Sequence, residues 1–133
     1  MTTHVLDVRL NANQAVVGGP DVIVWNTVVV DDLGAYNTVT GRFTPTVAGF
    51  WFFQAFVLVS GASAAYDVII RQNGSDVFFN RVIGTSATIW APGLLTFNGT
   101  TDYMDVTLTG VTVTAVGSVS TFSHLLGTFL GVP

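Results

Sequence analysis

The chain has 133 residues and a formal net charge of −4, with eight Asp and four Arg but neither Lys nor Glu. Half of it is hydrophobic, 9% is charged and cysteine is absent, which excludes a disulfide framework or a thiolate metal site. Four scattered Arg form no cationic cluster, so neither nucleic acid nor an anionic membrane surface is an expected partner. One domain spanning residues 1–133 is expected, large enough to enclose a core. The excess of Val, Thr and Phe over the good helix formers Lys and Glu predicts an all-β chain.

Taken in order, the N-terminal MTTHVLDVRLNANQ has no positive n-region and no apolar h-region, so no signal peptide is expected. Thr3 to Leu10 alternates loosely and predicts a first strand at an edge or terminus. Gln14 to Val17 is short and extended, and Gly18-Gly19-Pro20 is a break. Val22 to Val30, VIVWNTVVV, predicts an apolar strand with a bulge or bend at Asn26-Thr27. Asp31 to Gly34 reads as a turn, and Arg42-Phe43-Thr44 as a short strand that Pro45 ends.

From Phe50 to Val59 the sequence is F-W-F-F-Q-A-F-V-L-V. Successive strand side chains point to opposite faces, so this strand is apolar on both and both need cover. Gly61 to Ala64 predicts a small-residue loop. Tyr66 to Arg71 and Asp76 to Ile83 flank Asn73-Gly74, a hairpin signal. Thr85 to Phe97 is extended with an interruption at Pro92-Gly93. Asn98-Gly99 predicts a second tight hairpin into Asp102 to Thr109, with Tyr103, Asp105, Thr107 and Thr109 outward. Gly110 to Gly117 fits strand or loop, and Val119 to Leu130 predicts a closing strand. Eight to ten short strands at regular spacing, with no apolar run near the ~20 residues of a membrane-spanning helix, predict a sandwich or jelly roll.

The motifs Trp25-Asn26, Gly34-Ala35-Tyr36-Asn37, Thr40-Gly41-Arg42-Phe43-Thr44, Pro45 to Gly49 and Gly49-Phe50-Trp51-Phe52-Phe53 follow one another in a familiar order. With Ser120-Thr121-Phe122-Ser123-His124-Leu125-Leu126 they resemble the globular head of complement component 1q, which shares the tumour-necrosis-factor jelly roll. His124 stands where that family usually has Gly, and Leu125 where it has Phe. The resemblance implies a ten-stranded jelly-roll β-sandwich assembled as a homotrimer, with one sheet lining the three-fold axis. It places Trp51 and Phe53 inside the sandwich. Phe50, Phe52, Gln54, Phe56, His124 and Leu126 would then form the trimer interface. Burial of the whole run inside one subunit is the alternative, disfavoured because a two-layer sandwich covers one face of each sheet.

Few residues invite chemistry. The two histidines, His4 and His124, lie almost a whole chain apart; three copies of His124 on an axis would bind an ion or respond to pH, against a plain interface role. No nucleophile elbow or His-Asp signature points to a triad. Asp31-Asp32 lacks a ligand-rich loop for calcium and reads as a solvated turn. Asn73-Gly74-Ser75 and Asn98-Gly99-Thr100 fit the glycosylation sequon but read as turns. Tyr66, Tyr103 and Trp90 are candidate sugar-stacking aromatics. No cofactor and no enzymatic activity are expected.

A free-standing trimeric jelly roll resembles small virion proteins of tailed bacteriophages that reuse this fold. The expected function is therefore a capsid decoration (cement) protein on the virion surface. Its partners would be two further copies of itself and the major capsid protein, engaged through the base where the termini gather. The alternative is a receptor- or glycan-binding tip of a tail or head fibre.

Overall fold

A computed structural model describes residues 3–60, 65–83, 86–110, 112–116 and 123–133. The expected loop Gly61 to Ala64, the start of the closing strand at 119–122 and the motif residues 120–122 lie outside them. Eleven strands make up the described chain: β1 (Val5–Arg9), β2 (Gln14–Val17), β3 (Asp21–Val22), β4 (Thr27–Asp31), β5 (Gly49–Ser60) and β6 (Tyr66–Gln72). They continue with β7 (Ser75–Val82), β8 (Ser86–Phe97), β9 (Met104–Thr109), β10 (Thr112–Val116) and β11 (His124–Gly131). All pair antiparallel, in a seven-stranded sheet running β2-β10-β5-β11-β1-β4 with β8 added beside β5, and a four-stranded sheet running β3-β9-β6-β7. This is the expected all-β jelly-roll sandwich, its strand count raised by the two-residue β3.

Strand β5 organises the larger sheet. Along one edge β8 pairs with its full length. Along the other, β11 takes Phe50 to Phe56 and β10 takes Leu58 to Ser60. Its side chains alternate without a break: Trp51, Phe53, Ala55, Val57 and Val59 are fully buried, while Phe50, Phe52, Gln54, Phe56 and Leu58 are half-buried on the other face. A period of two is what an extended backbone imposes, so the two apolar faces read from the sequence are real and are occupied differently.

The inward face meets an aromatic cluster. The Trp51 ring centroid lies 5.1 Å from that of Phe43 and 5.4 Å from that of Phe129, and the Phe53 centroid lies 5.9 Å from that of Phe97. From the smaller sheet Val68, Ile70, Met104, Val106 and Leu108 close the core. Gly127 of β11 leaves room for this packing, since a Cβ there would sit 2.7 Å from a Phe53 ring carbon.

Several elements differ from the expectations. The VIVWNTVVV run is not one strand: Asp21-Val22 pairs with β9 in the smaller sheet, while Thr27 to Asp31 pairs with β1 in the larger. The backbone between them crosses from sheet to sheet, the Ile23 N–H still donating to the Val106 carbonyl at 2.8 Å and the next two residues bonding to side chains. The Val24 N–H donates to Gln14 Oε1 at 2.8 Å and the Trp25 N–H to the Tyr36 hydroxyl at 2.7 Å. Of the edge or terminus expected for the first strand, β1 has the terminus and not the edge, because β11 and β4 flank it. Strand β8 runs through Pro92 uninterrupted; it pairs on the β5 side alone, so the missing N–H falls on its free edge. Asn98-Gly99 does not make a hairpin, since β8 and β9 belong to different sheets. Asn98 Oδ1 instead accepts from the N–H groups of Thr100, Thr101 and Asp102, building a crossover loop. Asn73-Gly74 does form the expected hairpin, with positive φ of 52° and 82°.

Candidate functional site

The termini share one end of the sandwich, called the base here: the Phe129 N–H donates to the His4 carbonyl at 3.0 Å. From there the outer face of the larger sheet can be read as rows set by register. Moving away from the base, the first row is Phe50 beside Thr96. The second is Val5, Thr128, Phe52 and Leu94; the third is Asp7, Leu126, Gln54 and Pro92; the fourth is Arg9, His124, Phe56 and Trp90. All six residues expected at a trimer interface therefore lie on one continuous surface.

Sequence reasoning missed the contribution of β8. Trp90 is 49% exposed and Leu94 50% exposed, and they extend the apolar surface beyond Phe56 and Phe52. Their alternation with buried Ile89, Ala91 and Leu95 was the available signal. Val5 and Val30 widen the face towards β4, and both are exposed. The face holds one ion pair, Arg9 with Asp7, in which Nη2 and Nε donate at 2.8 and 3.2 Å to the two carboxylate oxygens.

His124 sits inside this surface. Its ring stacks on Phe56 with centroids 4.7 Å apart, and its Nδ1 is buried with no hydrogen-bond partner among the described residues. Burial holds the imidazole below its ordinary pKa; Asp7 opposes that shift and Arg9 adds to it.

His4 plays a different part at the base. Its Nδ1 lies 2.6 Å from Asp32 Oδ2, while the Val5 N–H donates to Asp32 Oδ1 at 3.0 Å. These hydrogen bonds, that of His4 first, hold the Asp32 carboxyl below its ordinary pKa. The His4 ring also packs on Phe129, centroids 5.6 Å apart, so the arrangement ties down the start of β1. Asp31 is likewise structural, its Oδ2 accepting from the Tyr36 N–H at 2.9 Å. Among the described residues, no three His, Asp or other ligating side chains converge as a metal site.

The base also carries an open groove of about 520 Å³, lined by Tyr36, Asn37, Thr38, Thr44 and Thr46 among others. Its lining is polar and uncharged. The remaining candidates change meaning. Tyr66 is buried at 1% exposure and is no sugar platform; Tyr103 lies beneath the Arg42 guanidinium, 4.2 Å from its ring centroid. The amides of Asn73 and Asn98 donate to Asp102 and Thr101 within their own loops. Asp105 and Thr107 point to the outer side of the smaller sheet yet are fully buried, Asp105 beneath a two-pronged Arg71 pair at 2.9 and 3.0 Å.

Two antiparallel sheets with this strand order, the larger one apolar on its outer face and an uncharged polar groove in the connection from β4 to β5, define a jelly roll. Solved structures share the fold across the whole chain. Eiger TNF from S. frugiperda is similar at TM-score 0.79 and 8% identity, covering 100% of this chain and 96% of its own. Murine APRIL gives TM-score 0.78 and 10% identity, over 97% of this chain and 100% of its own. The globular domain of zebrafish complement 1qA gives 0.70 and 14%, over 99% and 100%. No curated protein matches the sequence. The C1q domain model matches residues 7–123, and the chain belongs to that family. Domains of this family are generally non-enzymatic structural or signalling modules, and C1q- and TNF-like relatives form homotrimers.

Proposed function

We propose that the protein is a non-enzymatic homotrimer that decorates a virus capsid as a cement protein. The observation that carries the first half is the outer face of the larger sheet. Phe50, Phe52, Phe56, Leu126, Trp90 and Leu94 share one face across three adjacent strands, and a contiguous apolar patch of this kind marks an interaction surface. Fully burying an exposed Phe is worth roughly 1.5–3 kcal/mol, and with the three already half-buried they contribute about 2–5 kcal/mol per subunit on association. Association costs on the order of 4–15 kcal/mol, so Trp90, Leu94 and Leu126 must contribute as well.

The second half rests on symmetry and on fold analogy with small virion proteins. A trimer offers three equal contacts to a local three-fold position of a shell, and avidity multiplies a modest single-site affinity. The base, with its neutral groove from Tyr36 to Thr46, is the surface assigned to the capsid. Its hydroxyl and amide groups suit a polar polypeptide strand. Of the candidate sugar-stacking aromatics of the fibre-tip reading, Tyr66 is buried and Tyr103 lies beneath Arg42, while Trp90 is exposed.

Co-sedimentation with undecorated capsids tests the assignment. Saturable binding at one trimer per three-fold position, without binding to host cells, is expected. Binding to cells or glycans with none to capsids would overturn it in favour of the fibre tip.

A further inference from the structure

With two histidines and no Glu, Cys or Lys, the side chains whose ordinary pKa lies between pH 5 and 7.5 are His4 and His124. They sit at opposite ends of β11, some 15 Å apart by strand rise. His4 at the base has a carboxylate of its own in Asp32. His124 has none. It lies in the row Arg9, His124, Phe56, Trp90 on the apolar outer face, stacked on Phe56 and with Nδ1 already buried.

We propose that His124 makes self-association through this face acid-labile, so that the assembly holds at neutral pH and loosens when the imidazole is protonated. This rests on the self-association reading above. The groups facing His124 leave an imidazolium nowhere to discharge. From β1 come Arg9, directly opposite, and Asp7 two pairs further on. Both Asp7 oxygens are taken by the Arg9 guanidinium, so the carboxylate on this side is engaged, and although its pull on the imidazole exceeds the push of Arg9, burial outweighs both. From β5 come Phe56, Gln54 and Leu58, none titratable, and the sequences of β8 and β10 contain no titratable side chain. A second copy laid over this surface removes water from the one route by which a proton on His124 could be solvated, and burying an unpaired charge is costly.

The sign follows from linkage. Burial already lowers the imidazole's affinity for protons, and association buries it further, so the assembled state binds fewer protons than the separated chains. Association is therefore fully favoured above the ordinary histidine value of 6.5. It weakens as pH falls through the separated chain's value, which burial already holds below 6.5, and levels off once the assembled-state value is passed.

Sedimentation equilibrium at pH 7.5 and 5.0 tests this on the full chain, with His124→Gln and His4→Gln beside the wild type. Expected is a dissociation constant that rises at least tenfold for the wild type and for H4Q, and changes little for H124Q. A constant that is the same at both pH values, or an H124Q protein that retains the wild-type dependence, would overturn the switch while leaving the assembly standing. A wild type that is monomeric at pH 7.5 would overturn the assembly and the switch together. If H124Q does not fold, proton NMR of the two imidazoles decides. The His124 midpoint should fall as protein concentration rises, and a concentration-independent midpoint counts against the proposal.

Discussion

Strands β5 and β6 stand at the centres of the two sheets, and their outward side chains differ in kind. Strand β5 turns out Phe50, Phe52, Gln54, Phe56 and Leu58. Strand β6 turns out Asp67, Ile69 and Arg71, of which Asp67 pairs with Arg81 at 2.8 Å and Arg71 with Asp105 at 2.9 Å. Two of the four Arg thus close the smaller sheet against water with partners from its own strands. The outer face of the larger sheet is left mainly apolar, with a single ion pair among its described residues, on β1. One sheet is finished within the chain; the other is finished by whatever covers it. Strand β7 at the edge of this sheet is the exception, with Val77, Phe78 and Phe79 all exposed.

The contrast can be broken at its shared core first. Trp51→Ala removes a fully buried ring from the aromatic cluster, and should cost about 3–5 kcal/mol in guanidinium unfolding. That is much of the stability of a domain this size. One residue along, Phe52→Asp should leave the circular dichroism and the melting of the separated chain nearly unchanged, yet shift sedimentation to the monomer. If F52D instead unfolds the chain, or stays assembled, the division of β5 into a folding face and an association face is wrong.

Smaller effects sharpen the other sheet. Asp105→Asn leaves Arg71 facing a buried neutral group and should cost about 2–3 kcal/mol in the same unfolding assay, with no change in oligomeric state. The Asp32 carboxyl, held below its ordinary pKa by His4 and the Val5 N–H, contributes stability above the ordinary Asp value of about 3.9. That contribution is lost as pH falls through the folded value. Melting temperatures between pH 5 and 3 should therefore fall less for Asp32→Asn than for the wild type. Arg81→Ala breaks a pair whose Arg side chain is mostly exposed, and should cost under about 1 kcal/mol.

The sequence alone determined what a period of two can carry. The alternation of Phe50 to Val59, the Asn73-Gly74 turn and the order of motifs from Trp25 to Phe53 are local properties, and each appears in the fold where the residues placed it. Which strand lies beside which is not local, and only the tertiary structure decided it. The run from Val22 to Val30 reads as one strand because its residues all favour extension, but β9 and β1 compete for its two ends and split it. Asn98-Gly99 has hairpin chemistry, yet the strand that follows finds its partners in the other sheet. Tyr66 is buried by the core it faces. Trp90 and Leu94 join Phe56 and Phe52 because β8 pairs in that register and no other, which makes four separate stretches of sequence into one apolar surface with His124 within it.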